Sequence, residues 1–388
     1  MKLIYSVLFF EKEVSGVQKK ILSQVKQLNN LGLSSEIYSL TGTDDNSPPV
    51  PFVHKIIVPG LEFHSPKNFF AKMRRTKIRD NSIKKIIDAL HSDEILYTRI
   101  LSPSKITSEI VKSPRKCKIV IEYQSIESNE RRLVGDYISV LYDFFYGGDI
   151  RKYSDGIVGV TDQITRYQLS RSGDPDKPHI TIGNGFNVDS VSVRKPVSCQ
   201  VQGLNLLCVA NVNRWHGLDR LIRGLGAYRG PVRVTLHIAG DGPELSGLKK
   251  IMNESDIGGK VIFHGFSTGK DLDDLFNTCD IAIGSLALHR IGLTEASVLK
   301  AREYCARGIP YIIASADPDF PGDFPFIFRI PADETPVDLE KVIEFAHRVC
   351  TDPEHPRKMR TYAAENLDWS VKMKRLKAFL ETLVDKSP

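Results

Sequence analysis

The chain opens on an apolar run, Leu3–Phe10, and then changes period. After Ser15-Gly16, apolar residues recur at helical spacing (Val17, Ile21, Val25, Leu28) until Gly32 stops them, and a second strand pattern follows around Glu36–Leu40. Strand, glycine turn, helix and strand in that order predict the start of a doubly wound α/β domain. Further strands are predicted at Ile56–Val58, Ile95–Tyr97, Lys118–Glu122, Gly156–Val160 and His179–Ile182, with helices between most of them. Asp80–His91, carrying Ile83, Ile86, Ile87 and Leu90, is the clearest helix.

A second run begins at Leu204. Strands are predicted at Leu204–Ala210, Val232–Gly240, Lys260–Gly265, Asp280–Ser285 and Pro310–Ser315. Helices are predicted between them at Leu218–Tyr228, Pro243–Asn253, Asp271–Thr278 and Glu295–Arg307. Four successive β-α steps imply a parallel sheet with crossover helices. Val191–Gly203 has no apolar periodicity and reads as the linker. Trp369–Val384 is amphipathic, with Met373, Leu376, Phe379, Leu380 and Leu383 on one face. The expected architecture is α/β, two doubly wound Rossmann-like domains with an interdomain cleft. Residues 1–195 form the first domain and 196–365 the second, and 366–388 form a helix that crosses back to the first. Ligands in such sheets bind beyond the C-terminal strand edges.

Composition narrows the class. The chain is 41% hydrophobic and 26% charged, with a net charge of +6. That excess suits nucleotides, phosphates or acidic lipid, and is too small to argue for nucleic acid. Six scattered cysteines without C-x-x-C spacing imply neither zinc site nor disulfide framework and fit a reducing cytosol. The opening run is too short for a signal peptide and lacks a cleavage site. No stretch reaches the roughly 20 apolar residues of a membrane span.

The sharpest local signal is Glu295-Ala-Ser-Val-Leu-Lys-Ala-Arg-Glu303, closed by Gly308 and Pro310. As one helix capped by Thr294, it sets the two carboxylates about 12 Å apart along the axis. That is too far to share one reacting atom, but suits the two ends of a long ligand with its diphosphate at the helix N-terminus. On spacing alone, two ordinary surface glutamates are the better explanation of the pattern.

Context decides between these readings. Glu295 to Glu303 followed by Ala306-Arg-Gly-Ile-Pro310 resembles the E-x7-E signature of retaining GT-B glycosyltransferases, above all glycosyltransferase family 4. VSGVQKKILSQVKQLNNLG, DGIVGVTDQI and ITIGNGFNVD resemble that family's N-terminal half. LHIAGDGPEL and VIFHGFSTGKDLDDLFNTCDIAIGS resemble its donor-binding half. RWHGLDRLI with LHRIGLTEASVLKAREYCARGIPYI is close to a bacterial surface-polysaccharide branch. The resemblance covers nearly the whole chain, most strongly Leu204–Asp319.

The resemblance implies a UDP- or GDP-linked sugar donor and a lipid-linked or glycan acceptor. Glu303 would hold the ribose hydroxyls and Glu295 the donor sugar, while backbone N–H groups from Ala296, Ser297, Val298 and Leu299 meet the diphosphate. Gly16 would close over the phosphates, and Gly265 with Phe266 would line the base. Three departures stand out. The family's basic pair is replaced by Asn211 and His216, with Arg214 between them to supply charge. The glycines after the first glutamate are Ala296 and Ser297, which leaves Gly292 to give close backbone approach. The N-terminal histidine is missing from IEYQSIE, where Glu122 or Gln124 stands instead. Asp317-Pro-Asp319 follows a late strand and reads as a loop, so no metal is expected.

Lys67–Arg79 has six basic residues and no acidic one, with Phe69, Phe70 and Met73 interleaved. Lys72, Arg74, Arg75 and Lys77 suit an anionic membrane surface, and a solvated helix with its aromatics in the core explains the pattern as well. The expected protein is thus a cytoplasmic enzyme, at most peripheral on a membrane. The rivals are an inactive GT-B module binding a glycan or protein, and a nucleotide-sugar epimerase.

Overall fold

The computed structural model describes residues 1–8, 16–43, 48–61, 69–99, 101–195, 203–255 and 257–384. Its contacts divide the chain into two compact units. Unit 1 is Met1–Gly183 with Trp369–Pro388, and unit 2 is Asn184–Asp368.

Unit 1 runs β1 (Lys2–Leu8), α1 (Gly16–Asn30), β2 (Ser34–Thr41), β3 (Val53–Ile57), α2 (Phe69–Ala89), β4 (Glu94–Thr98), α3 (Lys105–Lys112) and β5 (Lys118–Tyr123). Then come α4 (Glu127–Leu133), α5 (Tyr137–Tyr153), β6 (Gly156–Gly159), α6 (Asp162–Ser172) and β7 (His179–Thr181). The seven strands are parallel, in the order β3-β2-β1-β4-β5-β6-β7. Reversal of direction at β1 is the doubly wound signature. The central strands read as near-continuous apolar runs because both faces are covered. Helices α2, α3, α5 and α6 touch in sequence and make one layer.

Unit 2 runs β8 (Gly203–Val209), α7 (Leu218–Ala227), β9 (Arg233–Ala239), α8 (Leu245–Glu254), β10 (Val261–Gly265), α9 (Gly269–Thr278) and β11 (Ile281–Ile283). It continues with α10 (Leu299–Arg307), β12 (Tyr311–Ile313), β13 (Ile327–Arg329), α11 (Leu339–Cys350) and α12 (His355–Asn366). Its parallel sheet is ordered β10-β9-β8-β11-β12-β13. A single apolar core extends from Val188 to Leu367. The expectation of two doubly wound sheets holds. Strand β13 and helices α11 and α12 extend unit 2 past the last element predicted from the sequence. The signal for α11 was present: Leu339, Val342, Ile343, Ala346 and Val349 are buried at helical spacing.

The last helix, α13 (Trp369–Val384), buries Met373, Leu376, Leu380 and Leu383, and packs against α1. Lys377 donates to the carbonyl of Leu31 at 2.8 Å. Of the linker expectation, residues 196–202 lie outside the described residues, and Arg194 is anchored in unit 2. Its N–H donates to the carbonyl of Arg307 at 2.9 Å and its guanidinium to that of Cys279 at 2.7 Å.

Two local expectations are corrected. Val17 does not join the buried face of α1 but is exposed, because that face carries Gln18, Lys20 and Gln24 beside Ile21, Val25 and Leu28. Thr294 does not cap a helix starting at Glu295. The segment is extended: Ala316 N–H donates to the Thr294 carbonyl and Ala296 N–H to the Ala316 carbonyl, both at 2.9 Å, so Glu295 forms an isolated parallel bridge. The helix begins only at Leu299, after Val298.

Candidate functional site

All of the predicted donor residues except Gly16 belong to unit 2, and Asn211, Arg214, His216, Gly265 and Phe266 stand at or just after the C-terminal ends of its strands. Glycine makes this possible. Gly240 and Gly242 of the GDGP turn have φ of +132° and +148°. A Cβ on Gly240 would lie 1.9 Å from the Ala210 carbonyl oxygen, and one on Gly242 would lie 2.3 Å from Val212 backbone. Only glycine permits that approach. In return, Val212 N–H donates to the Asp241 carbonyl at 2.6 Å. The turn after β9 thus fixes the turn after β8, where Asn211 and the short 3-10 turn Arg214–His216 stand.

That 3-10 turn is fastened on its other side as well. Leu286 N–H donates to the His216 carbonyl at 3.0 Å and Ala287 N–H to the Trp215 carbonyl at 3.1 Å. Arg290 forks onto Asp219 with two contacts of 2.9 Å. Asn211 and Arg214 are exposed at the end of β8, while His216 is half-buried. Asn213 N–H donates to His216 Nδ1 at 2.9 Å. Burial, and then the charge of Lys300, hold the imidazole pKa well below its ordinary range. The ring is therefore neutral, and because Nδ1 accepts, its proton is on Nε2. His216 thus offers a hydrogen-bond donor and no charge.

The segment before α10 is held from the opposite flank by Asn184. Its N–H donates to Ser297 Oγ at 2.7 Å, its side-chain amide bonds the Ser297 carbonyl, and its own carbonyl accepts from Arg302 Nε at 2.9 Å. Arg302 is fully buried and also reaches Asp317 and Asp319. The two aspartates of the Asp317-Pro-Asp319 loop thus face a cation from α10. Among the described residues no cluster of three metal-ligating side chains exists.

Ala296 and Ser297 are buried, and the Ala296 N–H is occupied by Ala316. This corrects the expectation that it meets phosphate. Val298 and Leu299 are half-buried, and no side chain caps the helix at Val298. Glu295 lies in the extended segment ahead of the helix. Glu303, in the second turn of α10, is oriented by Arg307 at 2.9 Å and keeps 22% of its side chain exposed. Gly292 has φ +71° at the end of the 3-10 turn Leu288–Ile291. Gly265 has φ +68°, and Phe266 beside it is 73% exposed.

The remaining predicted residues belong to unit 1. Gly16 is the exposed first residue of α1, while Ser15 and Lys67 lie outside the described residues. On α2, Lys72, Arg74 and Lys77 are exposed and Arg75 is half-buried. Glu122, at the end of β5, is not open to a ligand: it is buried and ion-paired to buried Lys20. Tyr5 donates to it at 3.1 Å, and the Gln124 amide bonds it too. Burial alone would raise its carboxyl pKa, yet the charges of Lys20 and Arg99 and hydrogen bonds from Lys20 and Tyr97 bring it below the usual range.

Sequence reasoning missed two features. One is Lys300, whose Nζ is buried without a partner among the described residues. The other is α5, which is inverted. Asp143, Gly147, Ile150 and Arg151 face inward, with Arg151 on Asp143 at 2.8 Å. Tyr137, Ile138, Leu141, Phe144 and Phe145 face solvent, each at least half exposed. The run YISVLYDFFY carried the apolar signal but not its direction.

Residues 199–321 match the family model for glycosyl transferases group 1. That span holds all of the predicted donor residues except Gly16. Comparison with curated proteins finds no match. Among solved structures, sucrose-phosphate synthase from Thermosynechococcus elongatus aligns at TM-score 0.71 and 14% identity, over 100% of both chains. Anabaena Alr3699/HepE in complex with UDP-glucose aligns at 0.66 and 13%, over 98% of this chain and 100% of the other. The lipopolysaccharide outer core galactosyltransferase WaaB, in its apo form, aligns at 0.64 and 14%, over 98% and 99%. At such identities the likeness shows the fold. Both units have the Rossmann-like α/β architecture of GT-B glycosyltransferases.

Proposed function

We propose that the protein is a retaining glycosyltransferase of family 4 type. It moves a sugar from a UDP- or GDP-sugar to a lipid-linked oligosaccharide or polysaccharide acceptor. The observation that carries this reading is that the group 1 match, residues 199–321, spans every predicted donor residue except Gly16. The structural neighbour complexed with UDP-glucose supports a nucleotide-sugar donor, and the galactosyltransferase WaaB supports a glycan acceptor of the surface-polysaccharide kind.

In this reading unit 2 binds the donor and unit 1 the acceptor. Glu303, held by Arg307, accepts from the ribose hydroxyls, a task suited to a carboxylate. Glu295 meets the donor sugar, and Gly265 and Phe266 line the base. Asn211 and Arg214 face the phosphates with His216, which donates from Nε2. As the sugar departs, negative charge grows on the diphosphate, and fixed donors aimed at it supply the main catalytic term. The departing phosphate takes the acceptor proton on the same face. Asp317 and Asp319 face Arg302, which supports reading them as structural, and in this reading activity should persist in EDTA.

The acceptor end is read as a lipid surface. Exposed Phe70, Met73, Lys72, Arg74 and Lys77 on α2 lie in the same helix layer as the outward aromatic face of α5. Apolar bodies with basic flanks are what an anionic interface holds. No helix among the described residues is long and apolar enough to cross a membrane.

The deciding experiment is a panel of UDP-, GDP- and ADP-sugars with NMR detection of the product anomer. Transfer with retention is expected. Inversion would overturn the mechanism, donor turnover without acceptor would favour an epimerase, and no binding of any nucleotide would favour an inactive module. Glu303→Ala should weaken donor binding roughly 10-fold or more, the loss of hydrogen bonds to a charged group.

A further inference from the structure

Lys300 is the second residue of α10, and its ammonium is a buried cation with nothing opposite it. Part of the aliphatic stem meets solvent, but Nζ does not, and no hydrogen-bond partner reaches it among the described residues. The titratable groups that feel its charge are Cys208, in β8, and His216. Neither is negative. Burial pushes the Cys208 thiol up, and the His216 ring is neutral. No ion pair to Lys300 forms among the described residues.

The helix adds to the mismatch. In the first turn of α10 the Ala301 N–H bonds the Val298 carbonyl at 3.1 Å, while the N–H groups of Leu299 and Lys300 favour an anion and disfavour a cation, and Val298 places no side chain on them. A buried, unpaired ammonium in the first turn of a helix, beside a neutral ring, is unfavourable for the ligand-free fold. Every one of these costs falls when an anion arrives.

We propose that Lys300 is the phosphate-binding cation of this protein, holding a diphosphate together with the first-turn N–H groups of α10 and Nε2–H of His216. The inference rests on the donor reading above and deepens it. The charge that the resemblance places on the turn after β8, where His216 stands, comes here from α10. Arg214, exposed on that turn, serves the outer side of the phosphates.

The test measures calorimetric binding of UDP, GDP, uridine, guanosine and inorganic pyrophosphate to the whole chain and to Lys300→Met, Lys300→Gln and Lys300→Arg. Wild type should bind a nucleoside diphosphate and pyrophosphate. Lys300→Met and Lys300→Gln should weaken both by roughly 10- to 100-fold, the span of one hydrogen bond to a charged group. Affinity for the matching nucleoside should stay unchanged, and Lys300→Arg should retain most of the diphosphate affinity. In the ligand-free state Lys300→Met should melt no lower than wild type, which also shows that it folds. Diphosphate affinity unchanged in both neutral variants, or equal losses for nucleoside and diphosphate, would overturn the assignment. If wild type binds pyrophosphate through Lys300 but no nucleotide, the donor reading fails and the anion site stands. If it binds no pyrophosphate and no nucleoside diphosphate, Lys300 is not a phosphate ligand.

Discussion

Arg302 of α10 and Asp317 of the loop after β12 face each other as a fork. Nη2 lies 2.9 Å from Asp317 Oδ1, and Nη1 bonds the other carboxylate oxygen. Neither side chain is more than 3% exposed. Because Arg302 Nε also bonds the Asn184 carbonyl, the pair ties two other segments, at Asn184 and after β12, to the start of α10. Removing one partner leaves a buried charge unmatched. Asp317→Ala should therefore cost about 3–5 kcal/mol. Asp319→Ala should cost less, its carboxylate being 14% exposed. Urea unfolding reads both, and a loss at Asp317 no larger than at Asp319 would contradict the geometry.

A second buried pair, Lys20 with Glu122, organises unit 1. Lys20 also lies over the Trp369 ring, 5.7 Å from its centroid, so the pair connects α1, β5 and α13. Burial pulls the Lys20 ammonium down to about 8 despite its partner. Such a pair is costly to split and inexpensive to replace whole. Lys20→Met or Glu122→Gln alone should destabilise by about 3–5 kcal/mol, and the double variant by much less than the sum. Additive losses in the double-mutant cycle would show that the two side chains do not depend on each other.

His216 gives a pH dependence of known sign. Burial and Lys300 lower its native pKa below the ordinary imidazole value. Above about pH 6.5 both native and unfolded rings are neutral and nothing changes. Below it the unfolded chain takes a proton that the native ring refuses, so stability falls as pH drops toward the native pKa, by at most ~1.4 kcal/mol per unit. His237 and His355 shift in the same direction, so the measurement is the difference between wild type and His216→Gln. Denaturation curves should diverge below pH 6.5 and run parallel above it. Parallel curves throughout would mean that the native ring titrates normally.

How much of this was legible in the sequence depends on whether the deciding contact is local. The strands of both sheets were readable because a strand covered on both faces is a near-continuous apolar run, as in β11 and β12. The start of α10 was not. Glu295 to Glu303 is a run of good helix formers, yet its first residues are held extended by Ala316, about twenty positions later, and by Asn184, more than a hundred earlier. Lys300 drew no reading for the same reason: nothing local says that its ammonium is buried. The Asp317-Pro-Asp319 segment is a loop, as read, but the buried Arg302 that it faces could not be inferred from spacing.

The outward face of α5 yields the prediction that most separates a lipid surface from an ordinary fold. A helix normally buries its apolar side. Here Arg151 and Asp143 occupy the inner side, and Phe144 and Phe145 stand outward at 70% and 61% exposure. Replacing both by serine removes no core contact, so melting temperature should be unchanged. If the face enters an anionic bilayer, each phenylalanine contributes about 1.5–3 kcal/mol on burial, and the double variant should bind vesicles at least tenfold more weakly. Lys72, Arg74, Arg75 and Lys77 act through charge, at about 1 kcal/mol each. Their replacement by serine should weaken flotation at low salt and matter little at high salt, where exposed charges are screened. The phenylalanine effect should survive high salt. Vesicles of phosphatidylcholine with phosphatidylglycerol provide the assay. Equal flotation of wild type and Phe144→Ser/Phe145→Ser would remove the lipid reading of α5, and a wild-type dimer that the same double variant dissociates would assign the face to a second copy of the chain instead.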